Sequence, residues 1–221
     1  RDIAYLKLLD KDRMLYNFYK NYSETDKIRD LEPLGGWDEP AGLLRGHSTG
    51  RYMSALALAY SSTQDEELKD DLDYVVHELS RMQDKSSGDA AAFTSKGTDQ
   101  SVWSTDPSEW GTGYISAYPP DQFALLEKYT EYGQIWAPYY TLHKLLAGFL
   151  DAYTYTGNEE ALQAAEKLGK WVCVRLGACS QKQLTKMWDM YVAGEFGGCN
   201  ESLAQLYLYT GDETFLDGAK L

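Results

Sequence analysis

Tyr153-Thr154-Tyr155-Thr156-Gly157-Asn158-Glu159 returns 54 residues later as Tyr207-Leu208-Tyr209-Thr210-Gly211-Asp212-Glu213. Leu162 and Ala165 return at the same offset as Leu216 and Ala219. A weaker copy, Tyr60-Ser61-Ser62-Thr63-Gln64-Asp65-Glu66, stands upstream and is followed by Leu68. Self-similarity of this kind marks a repeated supersecondary unit. Apolar residues lead into each copy at helical spacing: Tyr52, Leu56 and Ala59, then Leu145, Phe149 and Ala152, then Leu203 and Leu206. The same spacing restarts afterwards, as in Leu68, Leu72, Val75, Val76 and Leu79. Each copy therefore reads as a short turn closing a helix hairpin. Thr63, Thr156 and Thr210 each have Glu three residues on, the capping-box spacing. Asn158 or Asp212 serves equally well as the N-cap. Both readings start a helix at the same place.

The connections between hairpins are long, running roughly over 21–46, 85–136 and 175–199, with a short helix expected from Pro120 to Tyr129. The class is all-α, made of antiparallel helix hairpins. Alternation of direction puts every short turn at one end and every long loop at the other. Long loops in a compact domain usually carry function. With 221 residues, a single domain is the default.

Composition narrows the partners. The formal net charge of -13 and the lack of any Lys/Arg run argue against nucleic acid or an anionic membrane surface. No stretch approaches the ~18 apolar residues of a membrane span. Cys173, Cys179 and Cys199 form neither a disulfide framework nor a C-x-x-C knuckle, so no metal site is expected in the chain. Gly35-Gly36 and Gly197-Gly198 follow no strand, which disfavours a phosphate loop. There are 18 Tyr and 6 Trp against 6 Phe, an aromatic set that suits either sugar recognition or core filling.

The long loops and the helix starts behind them hold the candidate residues. They include Trp37, Asp38, Glu39 and His47, then Trp103, Trp110, Trp136, Tyr140 and His143, then Asp189, Glu195, Asn200 and Glu201. Aromatic faces stack on sugar rings, and carboxylates and amides bind hydroxyl groups. The same residues have plainer uses. The tryptophans suit the pinning of loops, His47 and His143 suit buried hydrogen bonding, and Glu195 and Glu201 suit the positive end of a helix. A hydrolytic carboxylate pair is open among Asp38, Glu39, Asp189, Glu195 and Glu201.

Four ordered motifs are Gly46-His47-Ser48-Thr49-Gly50-Arg51-Tyr52-Met53-Ser54-Ala55, Gly113-Tyr114-Ile115-Ser116-Ala117-Tyr118-Pro119, Ala137-Pro138-Tyr139-Tyr140-Thr141-Leu142-His143-Lys144-Leu145-Leu146-Ala147-Gly148, and Glu195-Phe196-Gly197-Gly198-Cys199-Asn200-Glu201. They resemble the β-L-arabinofuranosidase family of glycoside hydrolases. The resemblance implies an (α/α)6 toroid followed by β-sandwich domains. It also implies exo-acting removal of terminal β-L-arabinofuranose or a related sugar from plant glycans, with retention, in a secreted or extracytoplasmic setting. The family's chemistry uses a zinc-bound cysteine nucleophile and a glutamate acid/base in later helices. Residues 1–221 are thus expected to form the N-terminal portion of the barrel, truncated and inactive alone, with zinc belonging to the full-length enzyme. Cys199 is not expected to be the nucleophile. By resemblance the substrate pocket includes His47, Tyr140, His143, Asn200 and Glu201, with Trp37, Asp38 and Glu195. Another sugar chemistry on the same barrel, an epimerase or a lyase, is the first alternative. A non-catalytic helical-repeat scaffold is the second, and it would spread aromatics over a concave helix face. A half-toroid would also expose apolar faces after Thr210 and near Leu6 to Phe18.

Overall fold

Each repeated turn couples a left-handed residue that ends one helix to an Asp or Asn that starts the next, in a computed structural model describing residues 2–190 and 197–221. Gln64, Gly157 and Gly211 have φ of 56°, 73° and 70°. Their amides return to the carbonyls of Tyr60, Tyr153 and Tyr207. Asp65, Asn158 and Asp212 then accept, through their side chains, from the amides of Glu67, Ala161 and Thr214. Thr63, Thr156 and Thr210 are not the N-caps: each is the last residue of the preceding helix, and its hydroxyl donates back to a carbonyl four residues earlier, that of Ala59, Ala152 or Leu206. Of the two capping readings open in the sequence, the Asp/Asn one is correct.

Eleven α-helices span the described residues, with no strand among them: α1 Asp2–Leu6, α2 Lys11–Asn21, α3 Thr25–Ile28, α4 His47–Thr63, α5 Glu66–Gln83, α6 Asp121–Leu126, α7 Pro138–Thr156, α8 Glu159–Gly177, α9 Gln181–Trp188, α10 Gly198–Thr210 and α11 Glu213–Gly218. No described helix is long and apolar enough to cross a membrane. The hairpins are α4–α5, α7–α8 and α10–α11. Contacts between them fix a parallel register within each layer. His47 meets Tyr140 and Gly148 meets Met53, so α4 and α7 run the same way. Gly198 meets His143 and Tyr209 meets Tyr153, so α10 follows them. In the second layer Asp73 bonds Asn158 and Gln83 bonds the carbonyl of Ala164, aligning α5 with α8. Lys11 on Asp71 and Tyr74 on Asp12 add α2 to that layer. The two layers run oppositely, as in a segment of an (α/α) toroid, with the short turns at one end and the long loops at the other.

The apolar stripe of α5, Leu68, Leu72, Val75, Val76, Leu79 and Met82, is fully buried between the layers. The closest approach is between α4 and α7. A Cβ on Gly50 would stand 2.0 Å from the Lys144 carbonyl oxygen, and one on Gly148 would stand 2.6 Å from the Gly50 oxygen. Only glycines allow two backbones so near each other.

The second long loop has its own core. Trp110, Tyr114 and Phe123 pack with Trp171 of α8 at centroid separations of 4.7–6.2 Å. Trp171 Nε1 donates to the Trp110 carbonyl at 2.8 Å, and Trp103 Nε1 to that of Gly97 at 3.0 Å. Arg175 of α8, 2% exposed, holds Glu127 through two hydrogen bonds of 2.6 and 2.8 Å and the carbonyls of Ala90 and Phe93 through two more. Trp103 and Trp110 are therefore loop pins. The helix expected to reach Tyr129 stops at Leu126, and Tyr129 adopts φ 63°. The third connection contains α9, capped by Ser180 on the Gln183 amide. The apolar faces expected near Leu6 to Phe18 and after Thr210 are largely filled, with Leu15, Phe18 and Phe215 buried. Within and beside the first stretch Leu8 and Tyr5 are nevertheless exposed, and just before Thr210, on α10, so are Leu208 and Tyr209.

Gly50→Ala should cost about 3 kcal/mol or more in urea unfolding, since its methyl group meets backbone that cannot move aside. Gly157→Ala, with positive φ but open space around it, should cost only about 1 kcal/mol. Equal losses would remove the α4–α7 approach as the cause.

Candidate functional site

The parallel register brings the starts of α4, α7 and α10 together, and the first long loop folds over them. Gly46, with φ 94°, precedes α4 and has no side chain to cap it. Asp38, 5% exposed, supplies the missing acceptor from the loop. Its Oδ1 accepts from the Gly46 amide at 2.7 Å and its Oδ2 from the Ser48 hydroxyl at 2.5 Å. His47 Nδ1 lies 3.3 Å from the same Oδ2 and 3.1 Å from the Leu44 carbonyl oxygen. Nδ1 faces two acceptors, so it carries the hydrogen, and Nε2 is the acceptor of the neutral ring.

Above His47 sits an aromatic rim. Trp37, 61% exposed, has its ring 5.9 Å from His47 and 5.9 Å from Trp136, which in turn lies 5.6 Å from Tyr132. An exposed indole on a loop this well anchored is a ready face for a ligand ring. Tyr140, on the other side of His47 at 6.1 Å, accepts through its hydroxyl from Arg51 Nη2 at 2.5 Å. Lys144 Nζ stands 4.8 Å from the centre of the Tyr140 ring.

His143 is half-buried against the first turn of α10. A Cβ on Gly198 would come within 2.1 Å of its Nδ1, which accounts for glycine there without any phosphate loop. Nδ1 also lies 3.3 Å from Lys144 Nζ, which can only donate. Nδ1 is therefore the acceptor and Nε2 carries the hydrogen. Burial lowers the pKa of His143, Lys144 lowers it further, and Glu201 opposes with a smaller raising effect. His47 and His143 thus present opposite tautomers, one with Nε2 accepting and one with Nε2 donating.

Glu201, exposed, lies three residues beyond Gly198 and so on the face of α10 that meets His143. Asn200 lies on a different face. Its Nδ2 donates to the Ala219 carbonyl at 2.8 Å, tying α10 to the end of α11 beside Tyr139 and Trp188. The structure thus groups Trp37, His47, Tyr140, His143 and Glu201, places Asp38 beneath them as a support, and puts Asn200 elsewhere. Glu195 and Tyr191 lie outside the described residues. Glu39 and Asp189 are exposed. Two members escaped the sequence reading as individual candidates. Arg51 is four residues after His47, and Asp151 is eight after His143, its pKa raised by burial and by Glu201. Helical spacing from the two histidines would have found both.

Zinc and a cysteine nucleophile find no fit among the described residues. Burial raises the thiol pKa values of Cys173, Cys179 and Cys199 to about 11, 11 and 12. The Sγ of Cys199 donates to the Tyr139 carbonyl at 3.2 Å. No three His, Cys, Asp or Glu side chains among the described residues could hold a metal ion.

The His143 environment is testable by NMR. Its pKa should lie below the usual 6.5, so the folded state takes up its proton at lower pH than the unfolded chain. Its contribution to stability is full above pH ~6.5 and declines as pH falls toward the folded pKa. Lys144→Met should move the titration up and Glu201→Gln should move it down. Shifts in the opposite directions would overturn the assignment of these neighbours.

No curated protein matches the sequence. A family profile does, over residues 1–221, and its description is β-L-arabinofuranosidase, GH127 catalytic domain. The ordered loop motifs, the helix-hairpin architecture and this match over the whole chain converge, and the protein belongs to that glycoside hydrolase family, with carbohydrate as its substrate class.

Proposed function

We propose that the long-loop end of this chain is the sugar-recognition wall of an exo-acting glycosidase for terminal β-L-arabinofuranose or a closely related sugar. The observation that supports the reading is the convergence of Trp37, His47, Tyr140, His143 and Glu201 from one loop and three helix starts. The indole of Trp37 gives a sugar ring an apolar face. His47 Nε2 accepts from one hydroxyl group, His143 Nε2–H donates to another, and the Glu201 carboxylate accepts from a neighbouring pair. A half-buried neutral histidine suits a neutral ligand, because protonating it would cost desolvation.

These groups bind and orient; none of them is a nucleophile aimed at an anomeric carbon. In this reading residues 1–221 form the N-terminal portion of an (α/α)6 catalytic barrel, and the zinc-bound cysteine and the acid/base glutamate of the family come from helices outside them. The chain alone then binds sugar without hydrolysing it. The setting is secreted or extracytoplasmic, where plant glycans are met.

Titrating the purified chain with methyl β-L-arabinofuranoside, read by tryptophan fluorescence, should show weak saturable binding. His143→Ala or Glu201→Gln should weaken it by roughly ten- to a hundredfold, as expected for one strict or charged hydrogen bond of about 1.5–3 kcal/mol. Chromogenic 4-nitrophenyl β-L-arabinofuranoside should not turn over. Turnover at enzymatic rates would overturn this division of labour and turn attention to Asp38, Glu39 and Glu195.

A further inference from the structure

Two arginines are buried among the described residues, and they are treated differently. Arg175 meets a carboxylate, Glu127, as a buried cation ordinarily does. Arg45, 8% exposed, meets none. Its Nε donates to the Ala117 carbonyl at 2.9 Å, and its Nη1 to the Gly42 carbonyl at 2.8 Å and to Gln100 Oε1 at 3.0 Å. Its guanidinium lies 5.3 Å from the Tyr118 ring centre and 5.9 Å from that of Trp103. Nη2 has no acceptor among the described residues. Burial without a carboxylate pulls its pKa down to about 10.

Arg45 lines a cavity of about 460 Å³ between the first and second long loops. No Asp or Glu lines it, although the chain holds 34 of them against 21 Lys and Arg. Lys20, exposed and without an ion pair among the described residues, lines the same cavity. Asn17, 5% exposed, contributes an Oδ1 with no hydrogen-bond partner. The neighbouring cavity across Trp103 and Ser104 is mainly acidic, with Asp89, Asp106, Glu109 and Asp121 beside Lys96 in its walls. Asp121 is already engaged there, by the Ser95 hydroxyl and the Ser104 amide.

We propose that the Arg45 cavity binds the carboxylate of an acidic sugar, a uronate of monosaccharide size, with Nη2 of Arg45 and Lys20 on the carboxylate. One free guanidinium nitrogen and one ammonium group suit a monoanion better than a phosphate dianion. The hydroxyls of Ser101 and Ser104 and the Trp103 wall suit the remainder of a sugar ring. The first long loop serves both places: Trp37 and His47 face the arabinofuranose site, and Arg45 faces this one. The proposal rests on the cavity alone and stands independently of the arabinofuranose reading.

The test is fluorescence titration of the purified chain with D-galacturonate, D-galactose and inorganic phosphate. Galacturonate should saturate, with galactose weaker by at least about tenfold, the difference made by one charge-assisted contact. Arg45→Met should erase that preference. If the buried substitution does not fold, Lys20→Glu at the exposed rim decides instead, and it should weaken galacturonate by about threefold or more. Galacturonate binding no tighter than galactose, wild-type affinity in either folded variant, or tighter binding of phosphate than of galacturonate would each overturn the assignment.

Discussion

The contact between the backbones of α4 and α7 at Gly50 and Gly148 sets the geometry that the rest of the long-loop end uses. With the Lys144 and Gly50 carbonyls where a side chain would otherwise stand, the two helices can neither separate nor slide by a turn without losing their packing. That register places His47 beside Tyr140 and Arg51 on the Tyr140 hydroxyl. The same logic acts between α7 and α10, where Gly198 receives the His143 ring. Three helix starts are thereby held at one height. Gly50, Gly148 and Gly198 are required by these close approaches.

Aligning three helices in parallel also aligns their positive ends. In an isolated helix those free amides would be met by water or by a local cap. Here the caps are partly remote. Asp38 reaches from the loop to the start of α4, and Glu201 lies in the first turn of α10. Asp38 is consumed by this role, with both oxygens bonded, whereas Glu201 remains exposed. Two carboxylates that look alike in the sequence are separated in this way into a buried support and an exposed group beside His143. Charge is handled with similar discrimination against the second loop, where Arg175 of α8 is paired with Glu127 while Arg45 of the first loop rests on neutral oxygens and aromatic faces.

Much of this was legible in the sequence because the hairpin signal is local. An apolar stripe, a residue tolerating positive φ, and an Asp or Asn cap are all read within a dozen positions, and their repetition gave the hairpins and the two ends. What was not legible depends on rotation about a helix axis. Gly198, Asn200 and Glu201 are neighbours in the chain, yet Asn200 turns to Ala219 while Glu201 shares the His143 side. Only the starting residue of α10 decides which is which. Arg51 and Asp151 were missed for the converse reason, since they sit one and two turns below the histidines and away from the loops. The helix α9 could have been found, because Ser180 and Gln183 have capping-box spacing.

The long loops raise a physical difficulty, since ordering dozens of residues outside the helices is entropically costly. The second loop meets that cost with a core of its own, in which Trp110, Tyr114 and Phe123 close on Trp171, and Arg175 clamps Glu127 together with two loop carbonyls. Loop residues therefore have the burial of helix residues, and Trp136 reaches the rim from a segment fixed at Gln122, whose side chain accepts the Trp136 amide. The first loop is fixed by Asp38 and by Asn17 on the Asp38 carbonyl. Trp37 and His47 are therefore already held in place, and a ligand meeting them would lose less of its binding free energy to ordering the protein. Short turns at one end need only two residues to reverse the chain. The opposite end is free to carry long segments because those segments fold upon themselves, and that asymmetry gathers aromatic and titratable side chains from three helix starts at one end of a stack of plain hairpins.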